Sequence, residues 1–318
     1  MQSYALLDAR TPGIVNIISN KDCKEWRIDA LRKSKCVCAP LCLWRNSMNQ
    51  KCMRGIIIFI MAVMCILGLI GCNGETEDIF VVDTDEMTKQ KQDGMEGVER
   101  VKITADVTKI ADGYFSGFHD LKYIDVAEDN GKYQSINGVL YTKDGSALVA
   151  YPMAKDVSTY TIPDKCVAVY SYAFAGSKLE QIVLPDEMYE IGYYSFYNCD
   201  SLTSMDIPKN VYYISAGAFS NCDNLESLHV DETNQYFSDI NGVLFNSQKD
   251  ALHTYPGGKK DSSYILPDTC TMVGEYSFSG CLYLEEIVIT EEVNVPDNAF
   301  LESQIECVQS EDVINDEQ

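Results

Sequence analysis

Histidine and tryptophan are scarce in this chain, and their scarcity argues against several kinds of active site. There are 3 His and 2 Trp among 318 residues. His119, His229 and His253 each stand alone, and no grouping of His and Asp with Ser or Cys suggests nucleophilic catalysis. The run Gly257-Gly258-Lys259 lacks the spacing of a phosphate-binding loop. The sequence therefore predicts a protein that is not an enzyme and that holds no cofactor or metal.

Basic residues are also few compared with acidic ones. The chain has 25 Lys or Arg against 48 Asp or Glu, which gives a formal net charge of -23. Residues 1–72 hold 10 of the basic residues and only 4 acidic ones, so the remainder is more acidic than the whole. Nucleic-acid binding needs Lys and Arg to displace counterions from phosphates. The charge therefore argues against a nucleic-acid partner and favours a self-repelling, extracellular surface.

One long hydrophobic run is present, and its flanks indicate export. Residues 55–71 are uncharged, Lys51 and Arg54 precede them, and Glu75 and Glu77 follow. A positive flank, an apolar core and an acidic exit are typical of a signal sequence. The length is near the lower limit for crossing a bilayer, so an uncleaved single-pass anchor with the same orientation is the alternative.

The end of this run predicts a lipid anchor. The segment Leu69-Ile70-Gly71-Cys72 resembles the lipobox of bacterial lipoproteins, in which the Cys is acylated and becomes the mature N-terminus. We therefore predict a lipoprotein signal peptide at 53–72 and lipid attachment at Cys72, which holds the protein to the membrane. Residues 1–52 are then an over-extended reading of the start or a cytoplasmic extension. Residues 73–100, acidic and without period, are predicted to be a flexible tether.

The rest of the chain contains a sequence repeat. Phe174, Phe196 and Phe219 lie 22 and 23 residues apart, and each is followed by a Leu-x-x-Ile-x-apolar segment or a close variant of it. Such a period is typical of a solenoid, in which one short coil cannot bury its apolar side without neighbours. We predict one repeat domain over 101–309 and an acidic tail at 310–318. Strands that carry the apolar residues should pair in parallel and end at a proline, at Pro163, Pro185, Pro208 and Pro267.

Two insertions interrupt the period, and they match each other. Residues 130–163 resemble residues 234–267 at a constant offset of 104. In each, two apolar runs flank a polar turn, Lys143-Asp144-Gly145 or Ser247-Gln248-Lys249, which predicts a β-hairpin. We place the hairpin insertions at about 130–160 and 234–264 and expect them to supply surface.

The repeat frame identifies a family by resemblance. The segment LTSMDIPKNVYYISAGAFSNC resembles the BspA-like leucine-rich repeats of bacterial surface proteins, and INGVLYTKDGSALVAYP resembles an element common in that family. The resemblance covers about residues 101–307. It implies a leucine-rich-repeat solenoid, a right-handed β-rich coil of short parallel strands with two β-hairpin insertions. It also implies a surface protein of binding or adhesive character, without catalytic residues.

Cysteines recur with the repeat. Cys199, Cys222 and Cys281 each fall three residues after the Phe of a coil, while Cys166 and Cys270 share another repeat position. We interpret them as small buried apolar residues. Stacked coils place equivalent positions about 4.8 Å apart, so a disulfide between Cys199 and Cys222 is the alternative.

Surface residues are the remaining candidates for function. Strand positions between the apolar residues should point outward and form a mixed strip that binds a protein or host-matrix ligand at the bacterial cell surface. The rival interpretation is a structural or accessory surface protein that binds a glycan through exposed tyrosines, for which Tyr193, Tyr194, Tyr197, Tyr212 and Tyr213 are candidates. The candidate binding face is Gln181, Val183, Ser204, Asp206, Ser227 and His229, with further outward positions at Tyr123, Asp125, Glu286 and Val288.

Overall fold

The computed structural model describes residues 79–82, 86–87, 95–289 and 292–309. These residues belong to one compact unit, which spans 76–318. The predictions made for residues 1–72, including lipid attachment at Cys72, and for the tail lie outside the described residues.

Short strands dominate the described residues, which also contain one 3-10 helix at Tyr114–Gly117. The strands, in chain order, are β1 Ile79–Val82, β2 Glu86–Met87, β3 Arg100–Ile103, β4 Lys109–Ile110, β5 Tyr123–Val126, β6 Tyr133–Ile136, β7 Val139–Thr142, β8 Ala147–Ala150, β9 Thr159–Thr161, β10 Ala168–Val169, β11 Gln181–Val183, β12 Glu190–Ile191, β13 Ser204–Ile207, β14 Tyr213–Ile214, β15 Ser227–Val230, β16 Phe237–Ile240, β17 Val243–Asn246, β18 Ala251–Thr254, β19 Ser263–Ile265, β20 Met272–Val273, β21 Glu286–Ile289 and β22 Glu306–Gln309.

Two rows of parallel strands run along the solenoid. The front ladder joins β1 to β3 and β5, β9 to β11, β13 to β15, and β19 to β21 and β22. The return ladder joins β2 to β4, β18 to β20, and β8 through β10 and β12 to β14. Because front and return strands alternate along the chain, successive coils stack and bury their apolar residues between the two ladders. The predicted solenoid of short parallel strands is confirmed.

Prolines mark the end of front strands, as predicted. Strand β13 ends at Ile207, directly before Pro208, and β11 ends at Val183, two residues before Pro185. Proline has no amide hydrogen with which to extend a ladder, so the chain turns there toward the return ladder.

A column of stacked aromatic rings forms the centre of the core. The ring centroids of Phe174 and Phe196 are 5.3 Å apart, and those of Phe196 and Phe219 are 5.2 Å apart. All three side chains are buried. The alignment predicted from the 22- and 23-residue spacing is therefore confirmed.

The predicted tether is wrong for the part of it that the structure describes. Strand β1, the segment IFVV, pairs in parallel with β3, and β2 pairs with β4. Val82 is buried, and the ring of Phe80 packs edge-on against Phe118 at 6.0 Å. Strands β1 and β2 thus add one strand to each ladder, so the solenoid starts before residue 101.

Each insertion is a three-stranded meander that belongs to the core. The predicted hairpins are present, because β7 pairs antiparallel with β8 and β17 with β18. A second hairpin, β6 with β7, turns at Asn137-Gly138, where both residues have positive φ, as a two-residue turn requires. Val139, Leu140 and Tyr141 are fully buried. The expectation that the insertions supply surface is therefore wrong, since their middle strands fill space between coils.

Candidate functional site

The predicted binding strip lies on the outer side of the front ladder. Ser204 is in register with Ser227, and Asp206 with His229. Val183, on the strand before, is 39% exposed. Ser227 is partly buried, because the turn at Gly242 packs against it, and its hydroxyl contacts His229 Nε2 at 3.0 Å. The strip is Gln181, Val183, Ser204, Asp206, Ser227 and His229, of which all but Ser227 are exposed.

The prediction that Val288 points outward, at the C-terminal end of the same ladder, is wrong. Val288 is only 7% exposed. It lies in register between Ile265 of β19 and Val308 of β22. Strands flank β21 on both sides at this position, and their aliphatic side chains cover Val288.

At the N-terminal end of the ladder the outward residues are engaged with each other. Arg100 donates a hydrogen bond to Asp125 at 3.0 Å, and its guanidinium lies 4.5 Å from the centre of the Tyr123 ring. Lys155 lies 4.6 Å from the same centre. These contacts satisfy the charges locally, which leaves the strip on β11, β13 and β15 as the more accessible part of the face.

A cluster of tyrosines lies where the coils turn after the return ladder. The rings of Tyr193 and Tyr194 are 4.1 Å apart, and Tyr276 lies 6.1 Å from the first and 5.5 Å from the second. Tyr172 and Tyr197 each contact Tyr194 at 5.3 Å. All five are partly buried. Rings from two successive coils and from the coil beyond the second insertion thus meet on one face.

The five tyrosines predicted from the sequence do not form one stripe. Tyr212 stacks on Tyr189 at 5.5 Å and contacts Tyr236 at 5.8 Å, in a separate exposed row. Tyr213 stands on β14 in register with Glu190 of β12, and it is 52% exposed. Tyr212 and Tyr213 therefore belong to different groups, although they are adjacent in the sequence.

A depression lies beside the tyrosine cluster, on the outer side of the return ladder. It has a volume of about 350 Å³ and is open to solvent. Its floor is made by Val169, Gly192 and Ser171. The walls combine aromatic rings with carboxylates and a hydroxyl, from Asp112, Tyr170, Glu190, Tyr193, Tyr213 and Ser215.

The cysteines are structural. Cys166, Cys199, Cys222, Cys270 and Cys281 are buried free thiols, so the alternative of a disulfide between Cys199 and Cys222 is wrong. The Cys222 thiol donates to the Phe196 carbonyl at 3.0 Å. Contact with Cys199 and burial raise the pKa of Cys222 well above its usual range, which keeps the thiol protonated and unreactive.

Among the described residues, no three His, Cys, Asp or Glu side chains come close enough together to hold a metal ion. No helix within them is long and apolar enough to cross a bilayer.

Comparison with solved structures finds matches of low sequence identity. The pneumococcal vaccine antigen PcpA is 20% identical over 74% of this chain and 62% of its own, with a TM-score of 0.49. A leucine-rich cell surface protein from Faecalibacterium prausnitzii is 19% identical over 67% of this chain and 60% of its own, with a TM-score of 0.48. This chain spans less than two thirds of either structure. No curated protein matches the sequence.

The model of the BspA type leucine rich repeat region matches half of the chain. Six copies cover residues 150–249 and 258–316, where the stacked coils and the aromatic column were described above. The chain therefore belongs to the BspA-type leucine-rich-repeat family.

Proposed function

We propose that this protein is a lipid-anchored component of the bacterial cell surface whose solenoid binds a protein ligand, without catalysis, through the strip on the front ladder. The observation that carries the proposal is the row of exposed side chains on β11, β13 and β15. Neighbouring strands hold these side chains at a spacing of about 4.8 Å on a rigid support. A flat protein surface can therefore meet several of them at once without ordering a loop, which lowers the entropy lost on binding.

The chemistry of the strip favours a protein ligand of the host matrix over an ion or a small molecule. Asp206 and His229 are neighbours across β13 and β15, and Val183 supplies an apolar contact on β11. Interfaces between proteins combine an apolar centre with polar hydrogen-bonding groups, so a flat mixed surface of this kind can bind a protein without a cavity.

A binding assay tests this function: the full-length chain in detergent is passed over immobilised fibronectin, laminin or collagen, and the retained fraction of the chain is measured. Asp206→Arg should abolish this retention on whichever protein binds the wild type, because it places a long cation in the middle of the strip. Glu232→Arg makes the same charge change at an exposed position in the loop after β15 and should leave retention intact. Retention that is equal in both variants would assign binding to another surface.

Anchoring needs its own test, because Cys72 lies outside the described residues. The sequence supports it through the apolar run at 55–71 and the Cys at its end. Cells grown with labelled palmitate should incorporate label into the wild-type chain and not into Cys72→Ser. A wild-type chain that takes up no label would favour the single-pass anchor, and label in Cys72→Ser would place the acyl chain on another residue.

The rival is a structural or accessory surface protein that contacts glycan. The exposed tyrosines outside the strip, Tyr213 above all, favour it over a purely structural role.

A further inference from the structure

Gly192 lines the depression and packs directly against the backbone of the preceding coil. A Cβ on Gly192 would lie 2.7 Å from the backbone of Tyr170 and Ser171, so no other residue fits there without shifting the coil. The ladder registers Ala168 with Glu190 and Glu190 with Tyr213 on successive coils. The side chains of Glu190 and Tyr213 border a hollow of about 350 Å³, which is within the range of small-ligand sites.

Aromatic rings border this hollow and remain exposed. Tyr170 is 43% exposed and Tyr213 is 52% exposed. Tyr193 is held from behind by the rings of Tyr194 and Tyr276, at 4.1 and 6.1 Å. The rings therefore supply apolar faces beside the carboxylates of the walls, and each ring carries a hydroxyl group at its tip.

The neighbouring tyrosine cluster, which packs against Tyr193, stands on backbone with positive φ. Tyr172, Tyr194 and Tyr276 have φ values of 60°, 51° and 57°. Gly113 and Gly217 occupy the same place in other coils, with φ values of 65° and 69°. Bulky residues are disfavoured in this left-handed region, and such strain is concentrated at functional sites. The rings that hold Tyr193 in place therefore stand where glycine would fit with less strain.

The charge of the hollow restricts the ligand. Asp112 and Glu190 contribute carboxylates, and no Lys, Arg or His stands among the described residues that line it. A phosphate, a sulfate or an acidic sugar would be repelled. A lipid chain would leave the carboxylates buried against hydrocarbon, which is unfavourable. A neutral sugar ring avoids both the repulsion and the unfavourable burial of the carboxylates. Its C–H face packs on a tyrosine, and its hydroxyls donate hydrogen bonds to the carboxylates.

We propose that this depression is a binding site for a neutral oligosaccharide. Tyr170, Tyr193 and Tyr213 pack against sugar rings, and Glu190 and Asp112 accept hydrogen bonds from sugar hydroxyls. The site extends beyond the protein-binding function proposed for the front ladder, and it does not depend on that strip. A second, smaller cleft of about 70 Å³ shares Asp112, Tyr170 and Ser171 with the depression and would extend the contact to a neighbouring sugar unit.

Calorimetry with the full-length chain in detergent tests the proposal. The probes are linear hexasaccharides of glucose, mannose, xylose and N-acetylglucosamine, with hexagalacturonate as the acidic counterpart and a hexalysine peptide as a cationic one. We expect at least one neutral hexasaccharide to bind. Tyr213→Ala should weaken its binding by about tenfold or more, since it removes one exposed packing surface. Glu190→Gln should weaken binding less, because the amide oxygen still accepts a hydrogen bond.

The matched control is Tyr236→Ala, which removes an equally exposed ring from the separate row with Tyr212. It should bind the hexasaccharide like the wild type, and circular dichroism should show all variants folded. The proposal is overturned if no neutral hexasaccharide binds, if Tyr213→Ala binds like the wild type, or if the two tyrosine variants lose affinity equally. A preference for hexagalacturonate, or binding of hexalysine alone, would also overturn it, because either result assigns the hollow to a charged ligand.

Discussion

The ring of Tyr151 stacks on the ring of Phe174, with centroids 5.1 Å apart and planes inclined by 25°. Tyr255 stacks on Phe278 at 5.3 Å and the same inclination. Each insertion therefore contributes an aromatic residue to the central column, in the place that Phe holds in an ordinary coil. Tyr151 thus extends the column of Phe174, Phe196 and Phe219, and Tyr255 extends the column of Phe278 and Phe300.

Loss of a ring from the interior of the column should strongly destabilise the protein. Phe196 is fully buried and stacks on Phe174 and Phe219. Phe196→Ala leaves a cavity that the neighbouring coils cannot close, so we expect the free energy of unfolding to fall by about 3–5 kcal/mol. Urea denaturation measures it. Phe300→Ala, at the partly exposed end of the column, should lower it less. Equal losses would mean that the rings do not act as a stacked core.

The aromatic column was predictable because the repeat spacing places Phe174, Phe196 and Phe219 at one position of successive coils. Tyr151 and Tyr255 were missed as members of it, since the insertions break the 22- to 23-residue spacing and place a different residue type there. Local periodicity carries information about ordinary coils only.

The depression could not be predicted from sequence for another reason. One of its walls is Asp112, while the others follow the first insertion along the chain. The adjacent Gly113 lies so close to Tyr172 that a Cβ on it would be 3.0 Å from that ring. Coils on either side of the insertion thus touch at this edge. That contact is set by how the meander folds inward, which no repeat pattern encodes.

Two buried asparagines should each stabilise a turn between coils. The Asn130 amide donates to the carbonyls of Thr104 and Val107, at 2.8 and 3.0 Å. Its side-chain oxygen accepts from the amides of Lys132 and Tyr133, both at 2.8 Å. Asn234 makes the equivalent four bonds at the start of the second insertion.

Asn130→Ala should therefore lower the free energy of unfolding by about 2–4 kcal/mol, because it leaves buried backbone groups without partners. The exposed Asn210 makes one such bond, to the Asp186 carbonyl at 2.9 Å, and Asn210→Ala serves as the control. We expect a loss of less than about 1 kcal/mol for the control in urea denaturation. Similar losses in both variants would contradict a role for burial.

The two insertions differ in one hydrogen bond, which permits a stabilising substitution. The Tyr255 hydroxyl donates to Asp261 at 3.0 Å, whereas the buried Tyr151 hydroxyl has no partner in the structure. Val157 occupies the place of Asp261 and is 43% exposed, so little apolar burial is lost on replacing it.

Val157→Asp should raise the free energy of unfolding by about 1 kcal/mol, since it supplies the missing acceptor. The reciprocal Asp261→Val should lower it by a similar amount. Thermal and urea unfolding of both variants beside the wild type measure the pair. A destabilised Val157→Asp protein would show that the carboxylate does not reach the Tyr151 hydroxyl.

Acid should weaken the fold near the second insertion through His253. Its Nε2 lies 2.9 Å from the Ile214 carbonyl, its Nδ1 lies 2.8 Å from the Thr254 hydroxyl, and its ring packs edge-on against Phe237 at 5.7 Å. With Nε2 donating to the carbonyl, the neutral imidazole fits both bonds. Burial lowers the pKa of His253 below 6.5.

Below about pH 6.5, His253 is therefore protonated in the unfolded chain while it stays neutral in the folded chain. The free energy of unfolding falls as the pH drops through that value. We expect the urea midpoint of the wild type to decrease between pH 7.5 and pH 5.5. His253→Gln keeps a donor for the Ile214 carbonyl without titrating, and its midpoint should decrease less over the same interval. His119→Gln, at an exposed position, should behave like the wild type. A wild-type decrease that persists unchanged in His253→Gln would assign the acid sensitivity to carboxylates instead.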